Sequence, residues 1–331
     1  MATYNAELTR SGPGLLLRDI ASGEDAQVAA VVAVIAALDA DVLLLTAIDY
    51  DLGQAALTAL ADRLAAAGAG YPYRLALRPN TGVATGLDLD GNGQLGDARD
   101  AQGYGRFAGE AGMAVLSRLP ILAEDARDFS GLLWKDLPRA LLPEADRPEV
   151  LAVQRLSTSG HWEVPIAVAP GRTLRLLGWY ATPPVFDGPE DRNGRRNHDE
   201  TAFWLRLLAG ELAQTPPESP FVILGQSNLD AADGEGRPDA MLALLSHPAL
   251  QDPAPRGTSG RKEPGHKGDP ALDTALYGEG IGGLRVEVVL PSIDLKIAAS
   301  GVMWPPQGEA MAATLAAASR HRPVWVDITL P

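Results

Sequence analysis

The chain has 331 residues, 46% hydrophobic and 21% charged, the composition of a globular protein with a large core. Its net charge of −14 and pI near 4.8 disfavour non-specific nucleic-acid binding, which depends on cationic surface. The absence of cysteine excludes disulfides, thiolate metal sites and a cysteine nucleophile.

The first predicted element is a strand at Ala2–Leu8, followed by a Ser-Gly-Pro-Gly turn at Ser11–Gly14. Because the strand starts at once, no signal peptide is read. A helix capped by Ser22 is expected next, with Val28, Val31, Val32, Ile35 and Leu38 on one face. Its apolar run, Val28–Leu38, is too short to span a bilayer, so no membrane partner is expected. Val42–Leu45 reads as a buried strand running into Thr46-Ala47-Ile48-Asp49-Tyr50-Asp51. A helix carrying Leu57, Leu60 and Leu64 then ends at Gly68. This alternation predicts sheet covered by helices.

Further along, strands are predicted at Met113–Ser117, Leu174–Tyr180 and Phe221–Leu224, with a long helix over Asp199–Ala213. The C-terminal third gives strands at Leu284–Leu290, Leu295–Ala299 and Val324–Leu330. Asp252–Asp269 reads as a long surface loop, and no linker divides residues 1–331, so one domain is expected.

Several ordered pieces fall at strand ends: Asn5, Ile48-Asp49-Tyr50-Asp51, GMAVLSR at Gly112–Arg118 and TPPVFDGPEDRNGRRNHDE at Thr182–Glu200. They continue with GQSNLD at Gly225–Asp230, LRVEVVL at Leu284–Leu290 and SRH at Ser319–His321. Together they resemble the endonuclease/exonuclease/phosphatase family over about the full chain. The resemblance implies a four-layer α/β/β/α sandwich, an α/β fold with two mixed sheets face to face and helices outside. It also implies phosphate-ester hydrolysis assisted by Mg²⁺ or Mn²⁺. The expected partner is a small phosphate ester or other anionic ligand, and a monomer is expected.

Against the family's pattern, Asn5, Asn228, Arg285 and His321 are kept. Ala47 stands where the family has Glu, Tyr180 where it has His, and Gln226 where it has Asp. Glu287 and Arg320 each replace an Asp. An alanine cannot ligate a metal, and an amide cannot accept a proton at neutral pH. The changes at Ala47, Gln226 and Arg320 shift the charge by four units in the positive direction. Three readings follow. Asn5, Tyr180, Asn228, Arg285, Arg320 and His321 form a metal-free anion pocket; or the site has decayed; or Asp49 or Asp51 restores a metal site.

Asp88–Asp100 (DLDGNGQLGDARD) sets Asp88, Asp90, Asn92 and the Gln94 carbonyl at calcium-loop spacing. Arg99 stands where the closing Glu belongs, so Asp97 or Asp100 would have to close the site. The alternative is a solvated acidic turn. Arg192, Arg195, Arg196 and His198 could receive a phosphate, or could neutralise the acids around them. The acidic surface, the missing cysteine and this loop point to an exported protein, periplasmic or secreted.

Overall fold

The computed structural model of the chain describes residues 1–144, 146–278 and 280–329. In chain order it runs β1 (Ala2–Leu8), α1 (Leu15–Ser22), α2 (Ala26–Leu38), β2 (Val42–Ile48), α3 (Ala55–Ala66), β3 (Tyr73–Leu75) and β4 (Gly112–Ser117). There follow β5 (Arg127–Asp128), α4 (Pro148–Val153), β6 (Gly160–Ala169), β7 (Arg172–Tyr180), α5 (Arg192–Leu208), β8 (Phe221–Gln226) and α6 (Asp239–Leu245). The chain ends with β9 (Ala275–Leu276), β10 (Gly283–Leu284), β11 (Glu287–Pro291), β12 (Lys296–Val302), α7 (Ala310–Ala318) and β13 (Val324–Thr329).

One sheet has the order β12-β13-β1-β2-β4-β3 and the other β11-β8-β7-β6-β5, with β9 and β10 as a separate ribbon. Both sheets are mixed: β1 and β2 run parallel in the first, β7 and β8 in the second, and the other pairs are antiparallel.

The sheets pack face to face through Leu44, Val115, Trp162, Val164, Leu176, Leu224 and Val326, all buried. Gly178 lets them approach, since a Cβ there would stand 3.1 Å from Leu44 Cδ2. On the outside of the first sheet, α1, α2, α3 and α7 cover Tyr4, Leu43, Leu45 and Leu116. On the outside of the second, α5 and α6 bring Phe203, Trp204, Met241 and Leu244 onto Trp179, Ile223 and Leu290. The burial of both faces explains the apolar run Val42–Leu45 of β2. Each fully buried Leu or Val there contributes about 1.5–3 kcal/mol. The result is the expected α/β/β/α sandwich.

Several boundaries differ from the sequence reading. Leu15 begins a helix directly after the turn, with Gly14 at φ 78 as its N-cap. The cap of α2 is Asp25, whose carboxylate accepts from Val28 N, and not Ser22. α5 starts at Arg192, well before its apolar stripe, because its polar first turns are held by buried side-chain hydrogen bonds. The strand expected at Leu284–Leu290 is split, with Arg285 and Val286 between β10 and β11. The last strand is described to Thr329, and Leu330 lies outside the described residues. Asp252–Asp269 carries no helix or strand.

Candidate active site

The site forms where the C-terminal ends of the two parallel pairs meet, β1 and β2 from one sheet, β7 and β8 from the other. Gly225 turns β8 toward it. Its φ is 144, and a Cβ would lie 2.1 Å from Trp179 O, so only glycine fits. The next residue, Gln226, is the centre of the site. Its Oε1 accepts from Asn5 Nδ2 at 2.5 Å and from Thr46 Oγ1 at 3.1 Å, while its Nε2 donates to Asn228 Oδ1 at 2.5 Å. Asn228 Nδ2 donates in turn to Ala181 O at 2.7 Å. Tyr180 lies opposite Gln226 in the β7–β8 register, and burial pushes its hydroxyl up to about 12.

A second group faces the first. His321 Nδ1 lies 2.5 Å from Glu287 Oε1, and Thr274 Oγ1 donates to Glu287 Oε2. The Tyr277 ring stands edge-on to the imidazole, with centroids 6.0 Å apart. The segment around His321 is held by an antiparallel bridge to Ala275, which is how Thr274 and Tyr277 reach the site. A carboxylate on Nδ1 fixes the tautomer and leaves Nε2 as the face that can exchange a proton.

The third group is an ion pair. Arg320 Nε lies 2.6 Å from Glu7 Oε1, and Glu7 Oε2 accepts from Arg320 N at 2.8 Å and Ser319 Oγ at 3.2 Å. Thr46, Glu7, Thr274 and Tyr277 were not singled out from the sequence. Glu7 could have been, because it lies two residues beyond Asn5 in one strand.

A catalytic divalent metal takes hard oxygen ligands, carboxylates above all. Here each side-chain oxygen at the centre is already an acceptor. Asn5 Oδ1 takes the Glu7 N–H at 3.0 Å, Gln226 Oε1 takes two donors and Asn228 Oδ1 takes one. Both oxygens of Glu287 and both of Glu7 are engaged as well. Ala47, bulged at φ 53 between the β1–β2 registers, offers no ligand. With Ala47 and Gln226 where carboxylates are needed, and with Glu287 and Glu7 paired to His321 and Arg320, this donor set does not fit a catalytic metal.

Asp49 and Asp51 do not repair it. Asp49 accepts from Arg10 N at 2.8 Å and Ala111 N at 3.1 Å, and Asp51 caps α3 through Ala55 N and Ala56 N. The expected anion pocket also needs correction. Arg285 is clamped by Asp252 at 2.9 and 2.6 Å, and Arg320, still more than half exposed, is paired with Glu7. The two arginines are neutralised by carboxylates that the sequence pattern did not point to.

The arginine cluster is likewise corrected. Arg196 is buried, its guanidinium donating to the carbonyls of Leu156, Gln102, Arg155 and Ser157. Arg195 Nε donates to Glu190 O, Arg192 pairs with Asp146, and His198 Nδ1 meets Asp199 Oδ1 at 2.8 Å. These groups hold α5 in place and leave no free guanidinium face at Arg196 for a ligand.

In the 88–100 loop, carboxylate oxygens of Asp88, Asp90 and Asp100 lie within 4.8 Å of one another. Asp97 instead accepts from Asn92 Nδ2 at 2.7 Å, and Asn92 Oδ1 accepts from Gln94 N at 2.7 Å. Of the two carboxylates considered for closing the loop, Asp100 and not Asp97 lies with Asp88 and Asp90.

The Endonuclease/Exonuclease/phosphatase family model matches residues 2–321. The chain belongs to that family. Members of the family generally use divalent metals. Solved structures share its fold at low identity. An endonuclease/exonuclease/phosphatase from Beutenbergia cavernae is 17% identical with a TM-score of 0.57, covering 99% of this chain and 70% of its own. One from Bacteroides vulgatus is 12% identical with a TM-score of 0.54, covering 100% and 98%. A mannosyl-6-phosphatase from Bacteroides thetaiotaomicron is 13% identical with a TM-score of 0.53, covering 99% and 98%. No curated protein matches the chain in sequence. The fold is thus that of family phosphoesterases, while the centre of the site carries an amide, Gln226.

Proposed function

We propose that this chain is a non-hydrolytic member of its family, whose cleft holds a phosphate ester or comparable small anion through hydrogen bonds and not through a metal. Gln226 carries the reading. Metal-assisted hydrolysis asks the group at this position to be a carboxylate, and Gln226 is an amide with its oxygen and nitrogen both committed. Loss of one positioned acid or base costs ~10²–10⁴ in rate. Ala47 removes a ligand in addition, and losses within one catalytic unit do not simply multiply. The groups left to a ligand are His321 Nε2, the hydroxyls of Tyr180 and Tyr277, and Arg320. The Arg320 side chain is 56% exposed and can exchange Glu7 for a ligand oxygen.

The test is hydrolysis of bis(p-nitrophenyl) phosphate and p-nitrophenyl phosphate with Mg²⁺, Mn²⁺ and Ca²⁺ in turn. No metal-stimulated turnover is expected; a rate of ~1 s⁻¹ or faster overturns the reading. Phosphate in salt-matched buffer should raise the Tm of the wild type but not of Arg320→Asp. No rise in the wild type removes the binding half.

A separate observation supports a structural calcium site, proposed for the same chain. The convergence of Asp88, Asp90 and Asp100 supplies three hard oxygen ligands, the donor type Ca²⁺ prefers.

A further inference from the structure

The acidic loop between β3 and β4 carries an Asn-Gly step, Asn92-Gly93, one of two in the sequence. Residues 86–97 form no helix or strand, and Gly91 through Gly96 are all exposed. Asn92 Oδ1 accepts from Gln94 N at 2.7 Å, closing a ring that contains both the Asn92 side-chain carbonyl carbon and the Gly93 nitrogen. That donor stabilises the negative charge the oxygen gains when a nucleophile attacks the carbon. Gly93 has no side chain to shield its nitrogen, and it sits at φ 81 with open space where a Cβ would stand. Its N–H donates to Asp88 Oδ2 at 2.9 Å, an exposed bond that water replaces readily.

The second step, Asn193-Gly194, provides a contrast within the same chain. It lies in the first turn of α5, and the five-membered ring between its side-chain carbon and the next nitrogen requires a ψ outside the helical range. Asn193 Nδ2 also donates to Val185 O at 2.7 Å, and Gly194 is buried.

We propose that Asn92 is a site of spontaneous deamidation, which adds a carboxylate to the acidic loop and opens it. Solvent hydroxide takes the Gly93 N–H proton, and the nitrogen attacks the Asn92 side-chain carbonyl carbon. The new C–N bond closes a succinimide as the bond to Nδ2 breaks, and Nδ2 leaves as ammonia with a proton from water. Water then opens the ring at either carbonyl, giving an aspartyl or an isoaspartyl linkage. One water is taken up and one ammonia released, with no redox step.

The opening follows from the bonds the amide makes. Asn92 Nδ2 donates to Asp97 Oδ2 at 2.7 Å and to Asp90 Oδ2 at 3.2 Å. Deamidation puts an oxygen where that donor was, facing two carboxylates, and like charges repel. The amide carries this inference, so it stands with or without the calcium reading.

The experiment holds the full chain in warm, mildly alkaline buffer, folded and in urea. The acid form is followed by ion exchange and by peptide mass mapping with isoaspartyl detection. In urea both Asn-Gly steps should react at similar rates. In the folded chain Asn92 should stay within several-fold of its rate in urea, while Asn193 becomes many-fold slower. Asn92→Gln should remove the acid form at this position, because the longer side chain closes its ring far more slowly. The isolated acid form should exchange amide hydrogens across residues 88–97 several-fold faster than the starting protein, and Asn92→Asp should do the same. Equal folded rates at Asn92 and Asn193, or no reaction at Asn92 while the unfolded chain reacts, overturns the site. Unchanged exchange in the loop overturns the opening.

Discussion

Arg320 Nε sits 2.6 Å from Glu7 Oε1, joining the C-terminal Ser-Arg-His segment to the first strand across the mouth of the site. Because Arg320 is more than half exposed, the side-chain ion pair itself should contribute little. Arg320→Ala is expected to cost about 0–1 kcal/mol in urea unfolding, and less in high salt. Glu7→Ala should cost about 1–2 kcal/mol, because Arg320 N and Ser319 Oγ lose their acceptor too. A double-mutant cycle showing coupling above about 2 kcal/mol would contradict this division.

Gly225 is the backbone position on which Gln226 depends. Gly225→Ala drives a Cβ into Trp179 O and forces alanine into a φ it rarely adopts. A loss of about 3 kcal/mol or more is expected. An unchanged urea midpoint would mean that the turn relaxes freely.

Glu200 gives stability a pH dependence. It is fully buried, and burial raises its carboxyl from 4.5 to about 7, against the pull of Arg196 and of two N–H donors, Thr158 N at 2.5 Å and Thr182 N at 2.7 Å. A raised folded value means that the folded state binds the proton more tightly. The contribution is therefore full below pH 4.5 and is lost as pH rises through about 7. Glu200→Gln is destabilising in itself, since one amide N–H₂ must face a backbone N–H. Between pH 5 and 8, however, the gap between wild type and variant should narrow by about 2–3 kcal/mol. A gap that does not change with pH would show the carboxyl ionised throughout.

The calcium reading predicts that millimolar Ca²⁺ raises the Tm relative to excess chelator, and that Asp90→Ala removes the difference. Asp97→Ala should retain it, because Asp97 is tied to Asn92 and stands apart from the three-carboxylate group. Identical melting with calcium and with chelator would dismiss the site.

Much of the architecture was legible because burial writes itself into local pattern. β2 is apolar from Val42 to Leu45 since both its faces are covered, and β8 reads the same way from Phe221 to Leu224. The site's identity was legible through ordered residue types at strand ends, which led to Asn5, Gln226, Asn228 and His321. Less legible were elements without an apolar stripe. α7 is almost all alanine, and the first two turns of α5 are polar because their side chains bond inward to backbone carbonyls.

The sequence by itself determined which chemistry is missing: an alanine at position 47 and an amide at position 226 cannot act as a metal ligand and a base, whatever the fold. Tertiary structure decided which charges remain available. Arg285 meets Asp252 and Arg320 meets Glu7 across 33 and 313 residues of chain, so the four-unit charge shift does not become an open cationic pocket. Such pairings depend on which loops the sandwich brings together, and neither composition nor periodicity encodes them. The same holds for Asp49, whose direction follows from the bulge at Ala47 and the N–H groups of Arg10 and Ala111.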